Sequence, residues 1–121
     1  MIARLLALSV LLAFPAAALA ADPTAPPVVH CEKDCIVHTK DFAYKPVTLE
    51  VPVGTAVTFV NDDDAAHTVT AVEQVSQQPI FNSGDMPKGA KWTYTFKKAG
   101  TFKYTCGYHA FMNGTIIVKG S

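Results

Sequence analysis

From Ile36 onward the chain never sustains a helical spacing of apolar residues. It breaks instead into short runs that alternate, or that are rich in β-branched and aromatic side chains. Thr48-Leu49-Glu50-Val51 alternates, and Ala56–Asn61, His67–Ala71, Lys91–Phe96, Thr101–Thr105 and Thr115–Lys119 have the composition of strands. Turn residues separate them: Pro52-Val53-Gly54, Asn61 to Asp64, Asn82-Ser83-Gly84, Ala99-Gly100 and Asn113-Gly114. Short strands at this spacing predict an all-β fold of about seven strands, a Greek-key β-sandwich or small barrel. Glu73 to Lys88 is the longest stretch of weak strand character and reads as a loop that includes a short strand. Alternation turns Leu49, Val51, Val57, Phe59, Val69, Trp92, Tyr94, Phe96, Phe102, Tyr104, Ile116 and Val118 inward as the expected core.

The beginning of the chain has a different character. Within residues 1–20 the residues that are not hydrophobic are Arg4, Ser9 and Pro15. Arg4 as a basic end, Leu5 to Phe14 as an apolar stretch and Ala18-Leu19-Ala20 as a small-x-small site predict a secretory leader. Its apolar run is shorter than the ~20 residues a membrane span needs, and Pro15 interrupts it. The expectation is therefore a mature chain starting at Ala21, without a membrane span, in a bacterial periplasm or else outside the cell, both of which permit disulfides. Ala21 to Val29, with Pro23, Pro26 and Pro27, reads as an extended arm. The expected organisation is a leader over 1–20, an arm with a cysteine pair over 21–35, and one domain over 36–121. Ten Lys and Arg balance ten Asp and Glu, which argues against nucleic acid as a partner, because phosphate binding needs clustered excess cation.

The chemistry is concentrated in Thr105-Cys106-Gly107-Tyr108-His109-Ala110-Phe111-Met112-Asn113-Gly114, a loop between two strand patterns. Cys106, His109 and Met112 follow one another at intervals of three, and His67 opens another strand after a polar turn. Taken singly, each has a plain structural reading: a buried thiol, a loop or surface histidine, a core methionine. Together they are one thiolate, two imidazoles and one thioether. Two imidazoles and a thiolate in a plane, with a weak axial Met, are the donor set of a blue-copper site. Soft sulfur suits Cu(I) while imidazole also holds Cu(II). Structural zinc prefers four Cys and His ligands and rarely takes Met. The expected metal ligands are thus His67, Cys106, His109 and Met112 around one copper per chain. Four protein ligands leave no position for substrate, so electron transfer is expected and catalysis is not.

These motifs resemble the cupredoxins, the type 1 blue copper proteins, of the plastocyanin/amicyanin-like kind. The resemblance spans about residues 36–119. It is carried by Phe42-Ala43-Tyr44-Lys45-Pro46, Val53-Gly54-Thr55, Val60-Asn61 leading to His67-Thr68-Val69, Phe81-Asn82-Ser83-Gly84, Tyr94-Thr95-Phe96, Gly100 to Tyr104, and Cys106-x-x-His109-x-x-Met112-x-Gly114. The short gap from His109 to Met112 looks like amicyanin. The resemblance implies an eight-stranded, copper-loaded sandwich that shuttles single electrons, with the His109 edge as the electron exit. It suggests redox protein partners that dock transiently on an apolar collar of Ala110, Phe111, Met86 and Pro87, and a monomer. Two positions depart from the family. Thr68 stands where Asn usually ties the two ligand loops together, and its hydroxyl is expected to take over part of that role. Tyr108 stands where Pro is frequent, which predicts a free N–H bonding the thiolate and raising the potential.

His30-Cys31-x-x-x-Cys35-x-x-His38 is a second sulfur and imidazole cluster. Three cysteines leave one over after pairing. With Cys106 on copper, Cys31 and Cys35 are expected to form a short-loop disulfide; a second metal site using His30, Cys31, Cys35 and His38 is the alternative. Asp62-Asp63-Asp64 reads as a solvated turn, or else as a docking aid for a basic partner. A copper delivery or tolerance protein with the same ligands is the rival function. A multicopper enzyme needs more than the four histidines present.

Overall fold

The computed structural model describes residues 10–121. The first nine residues of the expected leader lie outside the described residues, and residues 10–20 form neither helix nor strand. No helix among the described residues is long and apolar enough to cross a membrane.

Two sheets face each other. The first is built from β1 (Val28–His30), β4 (Thr48–Pro52), β11 (Asn113–Lys119), β10 (Gly100–Thr105) and β6 (Thr70–Ala71), in that spatial order. The second runs β3 (Ala43–Lys45), β2 (Cys35–Lys40), β5 (Thr55–Asn61), β9 (Lys91–Phe96). A small hairpin, β7 (Gln74–Val75) with β8 (Gln78–Pro79), stands apart from both. The all-β sandwich expected from the strand pattern is present. It holds more strands than the seven to eight anticipated, because β1, β2 and β3 join the sheets from the N-terminal segment. β1 adds in parallel to β4, and β2 in parallel to β5. Both pairings are made with residues far along the chain.

The alternation is physical. In β2, Cys35, Val37 and Thr39 are buried while Ile36, His38 and Lys40 are exposed. In β11, Gly114, Ile116 and Val118 are buried. Most of the expected core is buried, including Leu49, Val57, Phe59, Phe96, Tyr104 and Ile116. Trp92, Tyr94 and Phe102 are only partly buried and pack against its edge. Trp92 and Tyr94 stay half-covered because β9 is an edge strand. The 73–88 segment lays Phe81 across it, with ring centroids 4.8 Å from Tyr94 and 6.1 Å from Trp92. Val37, Tyr44, Phe81 and Met86 complete the core. Gly114 is required where it stands: a Cβ there would lie 2.2 Å from the Tyr104 ring.

Cys31 and Cys35 are joined by a disulfide with Cα atoms 5.8 Å apart. It ties the end of β1 in one sheet to the start of β2 in the other. The alternative of a second metal site has no free sulfurs to work with, and its histidines are engaged elsewhere. His30 Nδ1 lies 2.9 Å from Glu50 Oε1, and His38 Nδ1 lies 2.6 Å from Asp62 Oδ2.

Candidate metal centre

The expected strand His67–Ala71 is a strand only at Thr70–Ala71. Its first half is held by a loop instead. His67 N–H donates to Met86 O (3.1 Å) and Met86 N–H to His67 O (2.8 Å). Val69 N–H donates to Ser83 Oγ (2.7 Å) and Ser83 N–H to Val69 O (2.9 Å). The 82–86 segment thus runs beside 67–70 as a strand would. The preceding turn is organised by buried Asn61, whose side-chain N–H donates to Ala65 O and Met86 O, both at 2.8 Å.

The Cys106 loop leaves β10 and returns as β11. Its ends are closed by Cys106 N–H to Met112 O (3.3 Å), Thr105 Oγ1–H to Met112 O (2.9 Å) and Met112 N–H to His109 O (2.9 Å). Closing the loop folds residues three apart around a common centre. The His67, Cys106 and His109 donor atoms all lie within 4.8 Å of one another. Cys106 Sγ is 3.8 Å from His67 Nδ1 and 3.5 Å from His109 Nδ1. With metal–nitrogen and metal–sulfur bonds of ~2.0 and ~2.3 Å, two ligands at trigonal angles around one ion stand about 3.8 Å apart. The two sulfur–nitrogen separations therefore match those of ligands around a single ion. Met112 is buried at the end of the same loop, and His67 and Cys106 are buried as well.

Asp63 is buried against His67, where the sequence pattern suggested only a solvated turn or a docking aid. It is 7% exposed. Its carboxylate accepts from Asp41 N–H (2.7 Å), Phe42 N–H (2.9 Å) and His67 Nε2 (2.9 Å). A carboxylate facing Nε2 makes that nitrogen the donor, which leaves the Nδ1 lone pair for a metal. Burial works against the charge. The backbone N–H groups of Phe42 and Asp41, with His67, outweigh it and hold the carboxyl below its ordinary value. The same bonds secure two consecutive left-handed residues, Asp41 (φ 53°) and Phe42 (φ 55°). That conformation is uncommon outside glycine and needs such support. Asp62 and Asp64 are indeed surface groups, paired with His38 and Lys88.

The collar around His109 differs from expectation. Ala110 and Phe111 are exposed beside it. Met86 is in the core at 4% exposure, drawn there by its backbone pairing with His67. Its place is taken by Phe42, whose ring lies edge-on to both imidazoles, 5.3 Å from His67 and 5.0 Å from His109. His109 itself is half-buried.

Both family departures have a structural outcome. Thr68 ties the ligand loops: Gly107 N–H donates to its Oγ1 at 2.7 Å, and its own N–H donates to Cys106 Sγ at 3.4 Å. No hydrogen bond from Tyr108 N–H to the sulfur is present among the described residues. Tyr108 instead turns outward, 58% exposed, and its hydroxyl donates to Asp85 Oδ1 at 3.0 Å.

The model of the cupredoxin-like domain family matches residues 4–118. The chain belongs to the cupredoxins. It is 32% identical to amicyanin from Paracoccus denitrificans over 84 residues, 69% of this chain and 64% of the relative. It thus spans just under two thirds of the length of that curated relative. Among solved structures it resembles a purple cupredoxin from Nitrosopumilus maritimus at a TM-score of 0.64 and 30% identity, covering 71% of this chain and 100% of that one. It also resembles a copper-containing nitrite reductase from Thermus scotoductus at a TM-score of 0.63 and 31% identity, covering 70% of this chain but only 22% of the enzyme. Copper is the cofactor of this fold, and the donor set of this cupredoxin suits it.

Proposed function

We propose that this cupredoxin is a periplasmic single-electron carrier whose one copper is held by His67, Cys106, His109 and Met112. When bound, copper supplies the one-electron Cu(I)/Cu(II) couple. The observation that carries the reading is one buried thiol converging with two imidazole Nδ1 atoms, while one of those imidazoles reaches toward the surface.

Each residue has a distinct task. Cys106 binds as the thiolate and keeps its sulfur within reach of the Thr68 N–H. Asp63 orients His67, so the deep imidazole does not turn when charge changes at the centre. Met112, buried at the loop end, would hold the copper through its thioether. His109 is the exit, because Phe42 (43% exposed), Phe111 (70%) and Tyr108 (58%) frame it with apolar surface. Such a rim favours redox protein partners that dock briefly over His109 through a small interface, below about 1,200 Å². The sequence features of residues 1–20 support an export leader. Residues 21–35 then form a disulfide-bearing arm that adds β1 to the first sheet, and 36–121 the copper domain of a monomer.

The test is the absorption and electron paramagnetic resonance spectrum of the copper-loaded protein, together with the rate of electron exchange. An intense sulfur-to-copper band and fast reversible exchange are expected. A colourless oxidised form overturns the site. Slow exchange with ready transfer of copper to an apo acceptor replaces the carrier with a delivery protein.

A further inference from the structure

Thr68 does not hold the two ligand loops together alone. Its hydroxyl is the first member of a hydrogen-bonded chain that leaves the metal centre. Thr68 Oγ1 lies 2.9 Å from Thr70 Oγ1, and Thr70 Oγ1 lies 3.3 Å from Asn82 Oδ1. Gly84 N–H also donates to that Asn82 oxygen, at 2.9 Å.

The direction of every proton in the chain follows from its two ends. A backbone N–H only donates, so the Gly107 N–H makes Thr68 Oγ1 an acceptor at 2.7 Å. At the far end the atom facing Gly84 N–H must be the amide oxygen, which only accepts, so the Thr70 hydrogen goes to Asn82. Thr70 has a single hydroxyl hydrogen, so once that is given to Asn82 the bond between the two threonines must be donated by Thr68. The chain runs one way, from the Cys106 loop through the 67–70 segment to the 82–84 turn, and each hydroxyl both gives and receives. The remaining polar atoms of Thr68 are engaged too: its carbonyl accepts from Tyr44 Oη–H at 2.6 Å, and its N–H donates to Cys106 Sγ at 3.4 Å. Space is tight as well. A Cβ on Gly107 would lie 3.3 Å from Thr68 Oγ1.

We propose that Thr70 and Asn82 are positioning residues for the Cys106 sulfur, acting through Thr68. Neither belongs to the ligand set. Together they fix the hydroxyl that anchors Gly107, and with it the separation between the Thr68 N–H and the sulfur. The 3.4 Å separation is ordinary for a sulfur acceptor, and it holds only while Thr68 is kept in place. A donor at the thiolate stabilises the more electron-rich Cu(I) state, so loosening it lowers the reduction potential. The effect on copper rests on the ligand assignment above; the positioning itself does not, because the chain is complete without metal.

The experiment compares Thr70→Val, its rescue Thr70→Ser, and Asn82→Ala. In the metal-free protein, amide hydrogen exchange at Gly107 is expected to quicken about tenfold in Thr70→Val, the equivalent of one ordinary hydrogen bond. It stays at the wild-type rate in Thr70→Ser. In the copper-loaded protein, Thr70→Val is expected to shift the sulfur-to-copper band and lower the potential, while Thr70→Ser restores both. Asn82→Ala acts in the same direction and less, because its link is the longest in the chain. Because Asn82 is exposed, this variant also decides the matter should Thr70→Val fail to fold. Wild-type Gly107 exchange in Thr70→Val, or equal behaviour of the Val and Ser variants, overturns the proposal. A protein that takes up no copper overturns the ligand assignment instead, and the exchange rates still decide the chain.

Discussion

Two clusters of sulfur and imidazole lie in this chain, and they meet opposite fates. Around Cys31 and Cys35 the sulfurs are bonded to each other and the histidines point away to carboxylates. Around Cys106 the sulfur is free and two imidazoles converge on it. The residue types are the same and the spacing of three recurs, from Cys35 to His38 and from Cys106 to His109. The difference lies in the backbone. Cys35 and His38 are on a strand, where an odd separation puts side chains on opposite faces; Cys35 is buried and His38 exposed. Cys106 and His109 are on a loop closed by the Cys106 N–H to Met112 O bond, where the same separation wraps inward. Ligand spacing acquires meaning only once the local conformation is known.

The largest effect that would break this contrast is at Cys106. Cys106→Ser is expected to abolish the sulfur-to-copper absorption band, while Cys31→Ala with Cys35→Ala keeps one copper per chain. Metal analysis and visible spectra of both variants check this. Copper lost from the arm variant would restore a metal role to the first cluster.

Removing the Asp63 carboxylate comes next. Asp63→Ala strands three donors and releases two left-handed residues, so the metal-free protein is expected to lose about 3 kcal/mol of stability. Denaturant unfolding measures the loss. Asp63→Asn, which keeps one acceptor oxygen, should recover part of it. A loss below about 1 kcal/mol would return Asp63 to an ordinary surface turn.

The disulfide closes a short loop, so its removal as the double alanine variant is expected to cost only about 2 kcal/mol. The same unfolding measurement applies, with the copper spectrum unchanged. The smallest effect belongs to Tyr108→Pro. Its N–H does not bond the sulfur, and its hydroxyl pairs with Asp85 on the surface, so stability should change by no more than about 0.5 kcal/mol. Potentiometry should find the potential close to wild type; a large fall would place the Tyr108 N–H at the thiolate after all.

Much of the proposed metal centre was legible because three of its proposed members share one loop, and adjacency along the chain makes convergence cheap. His67 was reachable as the histidine that follows the polar turn 61–66. Asp63 was not, since a run of three aspartates looks alike at every position until the turn closes and buries the middle one. Phe42 was visible only as part of a family motif; its position over the imidazoles depends on the left-handed turn that Asp63 supports. β2 was invisible as a separate strand for a related reason, because its parallel partner β5 is about twenty residues further on.

The amino-acid order alone determined the strand periodicity, the donor chemistry and the parity of the cysteines, since each depends on residue type and local spacing. Tertiary structure decided which cysteines pair, which aspartate is buried, which aromatic covers the imidazoles and which N–H reaches the sulfur. These depend on distances between segments far apart in the chain, and only the packing of two sheets and the loops between them sets those distances.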